Sequence, residues 1–127
     1  MNLWYQTLTK PPFTPSASYF PIAWAILYTL MTIAFFIILS KPHSKEKYIA
    51  VNLFIVQLIL NFTWSYVFFE IKSINLALLD VIFLLIALIF TMIYFHKISK
   101  VATYLLIPYL LQVIFATYLT FGLLILN

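Results

Sequence analysis

Four unbroken apolar runs, at about 19–40, 48–69, 75–95 and 101–126, constrain this chain more than any other feature. A helix crosses the hydrocarbon core of a bilayer with about 20 mainly apolar residues. Each run is therefore long enough to span, and the chain has room for little else. The connections, 41–47, 70–74 and 96–100, are short enough to join antiparallel neighbours. Membrane β-strands are excluded because they alternate apolar and polar residues over about ten positions. The predicted fold is an all-α membrane protein, an up-down bundle of four transmembrane helices over 19–127, preceded by a distinct segment, 1–18. Composition removes the soluble alternative. The chain is 65% hydrophobic and 8% charged, with a mean hydropathy of +1.09, whereas soluble domains are about 25% charged.

The charge that remains is informative through its placement. Lys41, Lys45, Lys47, Lys97 and Lys100 lie on the first and third connections, and only Lys10 and Lys72 lie elsewhere. Lysine accumulates on the cytoplasmic side, so a multi-pass topology with both termini outside is expected. The lysines are read as orienting charges and not as a nucleic-acid surface. Without a recognisable targeting segment, the expected location is a bacterial cytoplasmic membrane. The chain has no Cys and a single Gly, which excludes disulfides, thiol nucleophiles and glycine-rich phosphate loops. His43 and His96 lack further ligands at metal-site spacing, so no metal is expected. Neither a Ser-His-Asp set nor a paired-carboxylate arrangement can be assembled.

Residues 1–18 differ from the rest. Pro11, Pro12 and Pro15 stand among Trp4, Tyr5 and Phe13. Proline fixes φ and disfavours helix in the residue before it, so a bent aromatic loop is expected. It is either an interfacial tail or a lid over the bundle mouth. Inside the spans, polar and aromatic residues recur at steps of four: Trp24, Tyr28 and Thr32; Gln57, Asn61 and Ser65; Gln112, Ala116 and Thr120. Such stripes favour neighbouring helices over lipid. They serve either as interhelical glue, at about 0.6 kcal/mol per hydrogen bond, or as the polar anchors of an aromatic pocket. The aromatic richness tilts the second reading towards a flat apolar ligand. Asp80 is the one acid within a span. It is read as an acid near the interface, hydrated or hydrogen-bonded to a neighbouring helix, ahead of a proton or cation site.

Three ordered strings then carry a resemblance. The first is W-Y-x-x-L-x-K-P over Trp4, Tyr5, Leu8, Lys10 and Pro11. The second is Q-L-x-L-N-x-x-W-S-x-x-F-F from Gln57 through Asn61, Trp64 and Ser65 to Phe69. The third is P-Y-L-L-x-x-x-F-A-T-Y-L from Pro108 through Ala116 to Leu119. Together they resemble the TspO/MBR family of tryptophan-rich sensory and translocator proteins, along nearly the whole chain. The resemblance implies an intramembrane receptor or binding protein for porphyrins such as protoporphyrin IX and haem, or for sterols, acting in sensing, sequestration or transport. Porphyrin or haem enters as ligand, with no required cofactor, and a homodimer is implied.

Family members have five spanning helices, and the proline-rich motif follows the first; here it begins at residue 4, so that helix is expected to be absent. Carried over by motif, the ligand site comprises Tyr5, Pro15, Ile22, Trp24, Gln57, Asn61, Trp64, Ser65, Gln112 and Ala116. Three positions depart from the family pattern. Phe13 and Gln112 stand where it often has tryptophan, and Thr120 stands where it has asparagine. Light-dependent porphyrin degradation, reported for some bacterial members, is the enzymatic alternative. It is weakened by Gln112, whose amide neither oxidises nor stacks as an indole does. A small proton-coupled multidrug transporter is a third reading from size alone, opposed by the lack of an acid in the first span. The stretch Lys100-x-x-x-Tyr104-x-Leu106 also fits a loose sterol-contact pattern.

Overall fold

The computed structural model describes residues 19–126. Segment 1–18, which includes Tyr5 and Pro15 and the expected lid, lies outside the described residues, as does Asn127. Four long helices follow in order: α1 (Tyr19–Leu39), α2 (Lys45–Tyr66), α3 (Ile74–Ile98) and α4 (Lys100–Leu126). All four are long and apolar enough to cross a membrane. A π-helical turn, Val67–Ile71, continues α2.

The three connections use one device. Ser44, Ser73 and Ser99 each accept a hydrogen bond at the side-chain oxygen from the backbone N–H three residues on, those of Lys47, Leu76 and Ala102. A serine at this position satisfies one of the four N–H groups that a helix start leaves open. Capping by Ser44 starts α2 at Lys45, ahead of the apolar run at 48. Ser99 both ends α3, its N–H bonding Phe95 O at 2.7 Å, and caps α4. At the end of α1, Lys47 Nζ donates to Leu39 O and Lys41 O at 3.0 and 2.9 Å. Beyond the π-turn, Lys72 adopts φ 63° in the left-handed region, and its N–H bonds Val67 O.

Each helix packs on two neighbours, α1 on α4, α4 on α3, α3 on α2, and α2 more slightly on α1. The result is a ring with α1 opposite α3 and α2 opposite α4. The core runs along the axis, with Met31, Phe54, Leu88, Phe95, Leu106 and Tyr109 among its members. Phe54 lies at its centre, stacked on Phe35 at 4.5 Å and on Phe95 at 5.9 Å. A smaller cluster of Val67, Phe68, Ala77 and Leu123 closes the end beside the π-turn.

The outside of the ring is apolar. Ile22, Phe36 and Ile125 are each more than 60% exposed, as suits helices whose solvent is lipid. Lipid offers no hydrogen bonds, so polar groups must be satisfied within the protein. Every threonine among the described residues accordingly donates to the carbonyl four residues back, from Thr29 on α1 to Thr120 on α4.

Candidate ligand-binding site in the bundle interior

The polar heart of the bundle is built around Tyr109. Pro108 precedes it inside α4. A proline there lacks an N–H to donate, which a transmembrane helix tolerates when its neighbours compensate. Pro108 is exposed and Tyr109 is fully buried, so adjacent positions face lipid and core. The Tyr109 phenol reaches across the ring to the opposite helix. It donates to Gln57 Oε1 at 2.7 Å and accepts from Asn61 Nδ2 at 2.9 Å. From α1, Tyr28 donates to Asn61 Oδ1 at 2.5 Å. Four side chains on three helices thus form one chain of hydrogen bonds, Tyr28–Asn61–Tyr109–Gln57.

One donor in this chain is left over. Gln57 is fully buried, and its Nε2 has no hydrogen-bond partner among the described residues. An unpaired buried amide costs about 1–3 kcal/mol, so it marks a place where polarity is kept for another purpose. Aromatic rings stand beside the network. Trp24 packs against Tyr28 at 5.7 Å and meets Tyr109 edge-on at 6.3 Å and 69°. Phe62 lies 5.9 Å from Tyr28 on the lipid side. Trp64, half-buried, stacks on Phe68 at 5.2 Å and 10°. These residues occupy the half of the bundle from which α1 starts, the end where segment 1–18 joins it.

A groove of about 630 Å3 opens between α1 and α4 on this half. Ile22, Ala23 and Leu27 line one wall, and Pro108, Leu111, Gln112 and Phe115 the other. Its volume is within the range of small-molecule sites, about 300–1,000 Å3. Gln112, mostly buried, supplies the one polar side chain of that lining.

The described site residues named from sequence therefore fall in four places. Gln57, Asn61, Trp24 and Ala116 belong to the interior around Tyr109, with Ala116 in the core itself. Ile22 and Gln112 line the α1–α4 groove. Trp64 sits further along α2 against Phe68, and Ser65 is exposed on the outer surface. Thr32 is also exposed, its hydroxyl turned back to Tyr28 O. The reason is geometric. At about 3.6 residues per turn, a step of four overshoots by about 40°, so two steps leave a narrow buried face. The buried positions of α2, 50, 54, 57 and 61, alternate steps of four and three instead. On α4 the buried face is broader, and Gln112, Ala116 and Thr120 all stay inside. Tyr28 and Tyr109 stand outside the site set implied by the resemblance, although Tyr28 lies on the stripe Trp24, Tyr28 and Thr32. The signal for Tyr109 was its position three residues before Gln112 on the same face.

Asp80 on α3 is half-buried, and its Oδ2 has no hydrogen-bond partner among the described residues. Of the two environments expected from sequence, hydration near the interface or a hydrogen bond to a neighbouring helix, the second is not made through that oxygen.

The sequence pattern of the TspO/MBR family matches residues 1–126. The chain belongs to this family. Its TspO/MBR relatives include a "Tryptophan-rich protein TspO" of Chlorobaculum tepidum, 42% identical over 98% of this chain and 79% of that protein. A protein of the same name from Archaeoglobus fulgidus is 39% identical over 100% of this chain and 82% of its own length. The "Translocator protein" of Bos taurus is 32% identical over 93% and 71%. This TspO/MBR protein is thus a multi-pass integral membrane protein with bacterial, archaeal and mammalian relatives.

Proposed function

We propose that this protein binds a flat, largely apolar ligand of the porphyrin or sterol class inside the bundle, with protoporphyrin IX and haem the leading candidates, and acts in sensing, sequestration or transport. The observation that carries the reading is the fully buried Gln57, with an unpartnered Nε2, beside the aromatic group of Trp24, Tyr28 and Tyr109. Aromatic faces suit a planar macrocycle, and one amide donor can receive an acceptor from the ligand edge. The α1–α4 groove, with Ile22 and Gln112 on its walls, offers a lateral route from the bilayer. Tyr5 and Pro15, carried over by the family motif, belong to the proposed set and lie outside the described residues. The relatives' names support the broad role, one being called "Tryptophan-rich sensory protein" and another "Translocator protein".

Topology belongs to the same proposal. The α1–α2 and α3–α4 connections, with their five lysines, lie at one end of the bundle and are assigned to the cytoplasm by charge. Both termini then lie outside, in a bacterial cytoplasmic membrane.

The test is a titration of the detergent-solubilised protein with protoporphyrin IX in the dark, followed by tryptophan fluorescence. Wild type and Trp24→Ala are compared, with a detergent-only correction. Saturable quenching that weakens about tenfold or more in the variant supports the site. That loss is about 1.4 kcal/mol, the scale of one aromatic contact in a desolvated pocket. Linear quenching, equal in both proteins, means partitioning into micelles and refutes it.

A further inference from the structure

The lysine-rich end of the bundle holds a second cavity, remote from the interior network. It has a volume of about 400 Å3 and is lined by Lys41, His43, Ser44 and Glu46 from the first connection and the start of α2, and by Lys97 and Ile98 from the end of α3. All four helices begin or end here, so it lies at the depth of lipid headgroups.

The charges around it are not equivalent. Lys47 is committed to the chain, both its hydrogen bonds closing carbonyls at the end of α1. Lys97 is held over the Tyr94 ring, its Nζ 4.6 Å from the centroid, an arrangement that keeps the ammonium at the interface while its stem covers apolar surface. Lys41 has no side-chain hydrogen bond among the described residues. Lys41 of the first connection and Lys97 at the end of α3 therefore both line one cavity, whose single acid is Glu46. At this end of the bundle, Tyr48 near the start of α2 and Ile93 near the end of α3 are exposed on the outer surface. A headgroup seated above would have hydrocarbon-compatible surface for its chains.

We infer that this cavity binds the phosphate of an anionic phospholipid, of the phosphatidylglycerol type, through Lys41 and Lys97. Basic pockets between spanning helices are suited to such headgroups, and the attraction acts over about a Debye length. The site orders one lipid at the end of the bundle opposite the aromatic network.

The experiment is native mass spectrometry of the full chain released from nanodiscs of phosphatidylcholine mixed with phosphatidylglycerol, counting each lipid retained. Lys41→Gln/Lys97→Gln removes the two charges facing the cavity. Lys45→Gln/Lys100→Gln removes two exposed charges at the same end that do not line it. The first pair should lower preferential phosphatidylglycerol retention about twenty-five-fold, about fivefold for each lysine. The second pair should lower it by less than about threefold, through general charge alone. Lys41→Arg/Lys97→Arg should retain the lipid. If the double glutamine variant does not fold, as judged by circular dichroism, Lys41→Gln and Lys97→Gln are measured singly. Equal losses in the two glutamine pairs would mean a diffuse surface effect and overturn the proposal. So would no loss in either. Tight binding of inorganic phosphate alone by calorimetry, with no preference among lipids, would reassign the cavity to a soluble anion and overturn it equally.

Discussion

Replacing Tyr109 by phenylalanine deletes one oxygen from the centre of the bundle and leaves the ring. Its edge contact with Trp24, at 6.3 Å and 69°, is preserved, so the loss is confined to hydrogen bonding. The phenol makes two bonds, to Gln57 Oε1 and from Asn61 Nδ2. Interhelical hydrogen bonds in membranes average about 0.6 kcal/mol with a maximum near 1.7, so an average pair contributes about 1.2 kcal/mol. A second count starts from what is left behind. Gln57 Nε2 already has no partner among the described residues, so the variant strands the whole amide of a fully buried residue. Stranding a buried polar group costs about 1–3 kcal/mol. The two counts describe the same loss and are not added, so Tyr109→Phe should destabilise the protein by about 1–3 kcal/mol. Reversible unfolding in mixed micelles, titrated with a denaturing detergent and followed by far-ultraviolet circular dichroism, measures this. Asn61→Leu and the double variant complete a cycle, with an expected coupling of about 0.5–1 kcal/mol between the two sites. A change below about 0.3 kcal/mol with no coupling would show that the network contributes nothing to the fold, and the reasoning would be refuted.

Other perturbations follow from the same geometry. Gln57→Leu should weaken porphyrin binding in the dark titration at least fivefold, whereas Ser65→Ala, on the exposed face, should change it less than about twofold; the reverse order would move the site to the outer surface. Lys72→Gly should stabilise the protein by about 0.5–1 kcal/mol in the same unfolding assay, because glycine takes φ 63° without the Cβ penalty. A lower stability would show that the lysine side chain itself is needed at the turn. Phe54→Ala empties the centre of the Phe35–Phe54–Phe95 stack and should cost about 3–5 kcal/mol; a loss under about 1 kcal/mol would mean that the stack repacks freely.

The long apolar runs made the helices legible, because in lipid a backbone has few ways to satisfy its polar groups. The short connections likewise implied antiparallel neighbours. The helix starts were written in Ser44, Ser73 and Ser99, yet hydropathy alone placed the start of α2 at about 48 instead of Lys45. Polar stripes located the site only in part. Gln57 and Asn61 lie on the face that α2 turns inward, while Ser65 drifts off it, and Thr32 off the inward face of α1, as strict steps of four accumulate rotation. Tyr109 was hidden for a different reason. Tyrosine is ambiguous in a membrane helix, at home at the interface or the core, and only packing decides. Which helices are opposite was also beyond the sequence, and with it the pairing of Tyr109 with α2. The π-turn left no mark in the pattern, since Val67 and Phe68 are buried together where apolar residues were in any case continuous.

The ring arrangement gives the reach of Tyr109 a mechanical meaning. Four rods that touch only their neighbours form a linkage with a soft mode, in which the square cross-section shears into a rhombus while every adjacent contact survives. A strut between opposite corners removes that freedom. Tyr109 is such a strut, tying α4 to α2 across the diagonal, and Tyr28 braces α1 to the same anchor point at Asn61. A molecule that displaced the Tyr109 phenol from Gln57 and Asn61 would unpin the diagonal and free the cross-section of the bundle to shear.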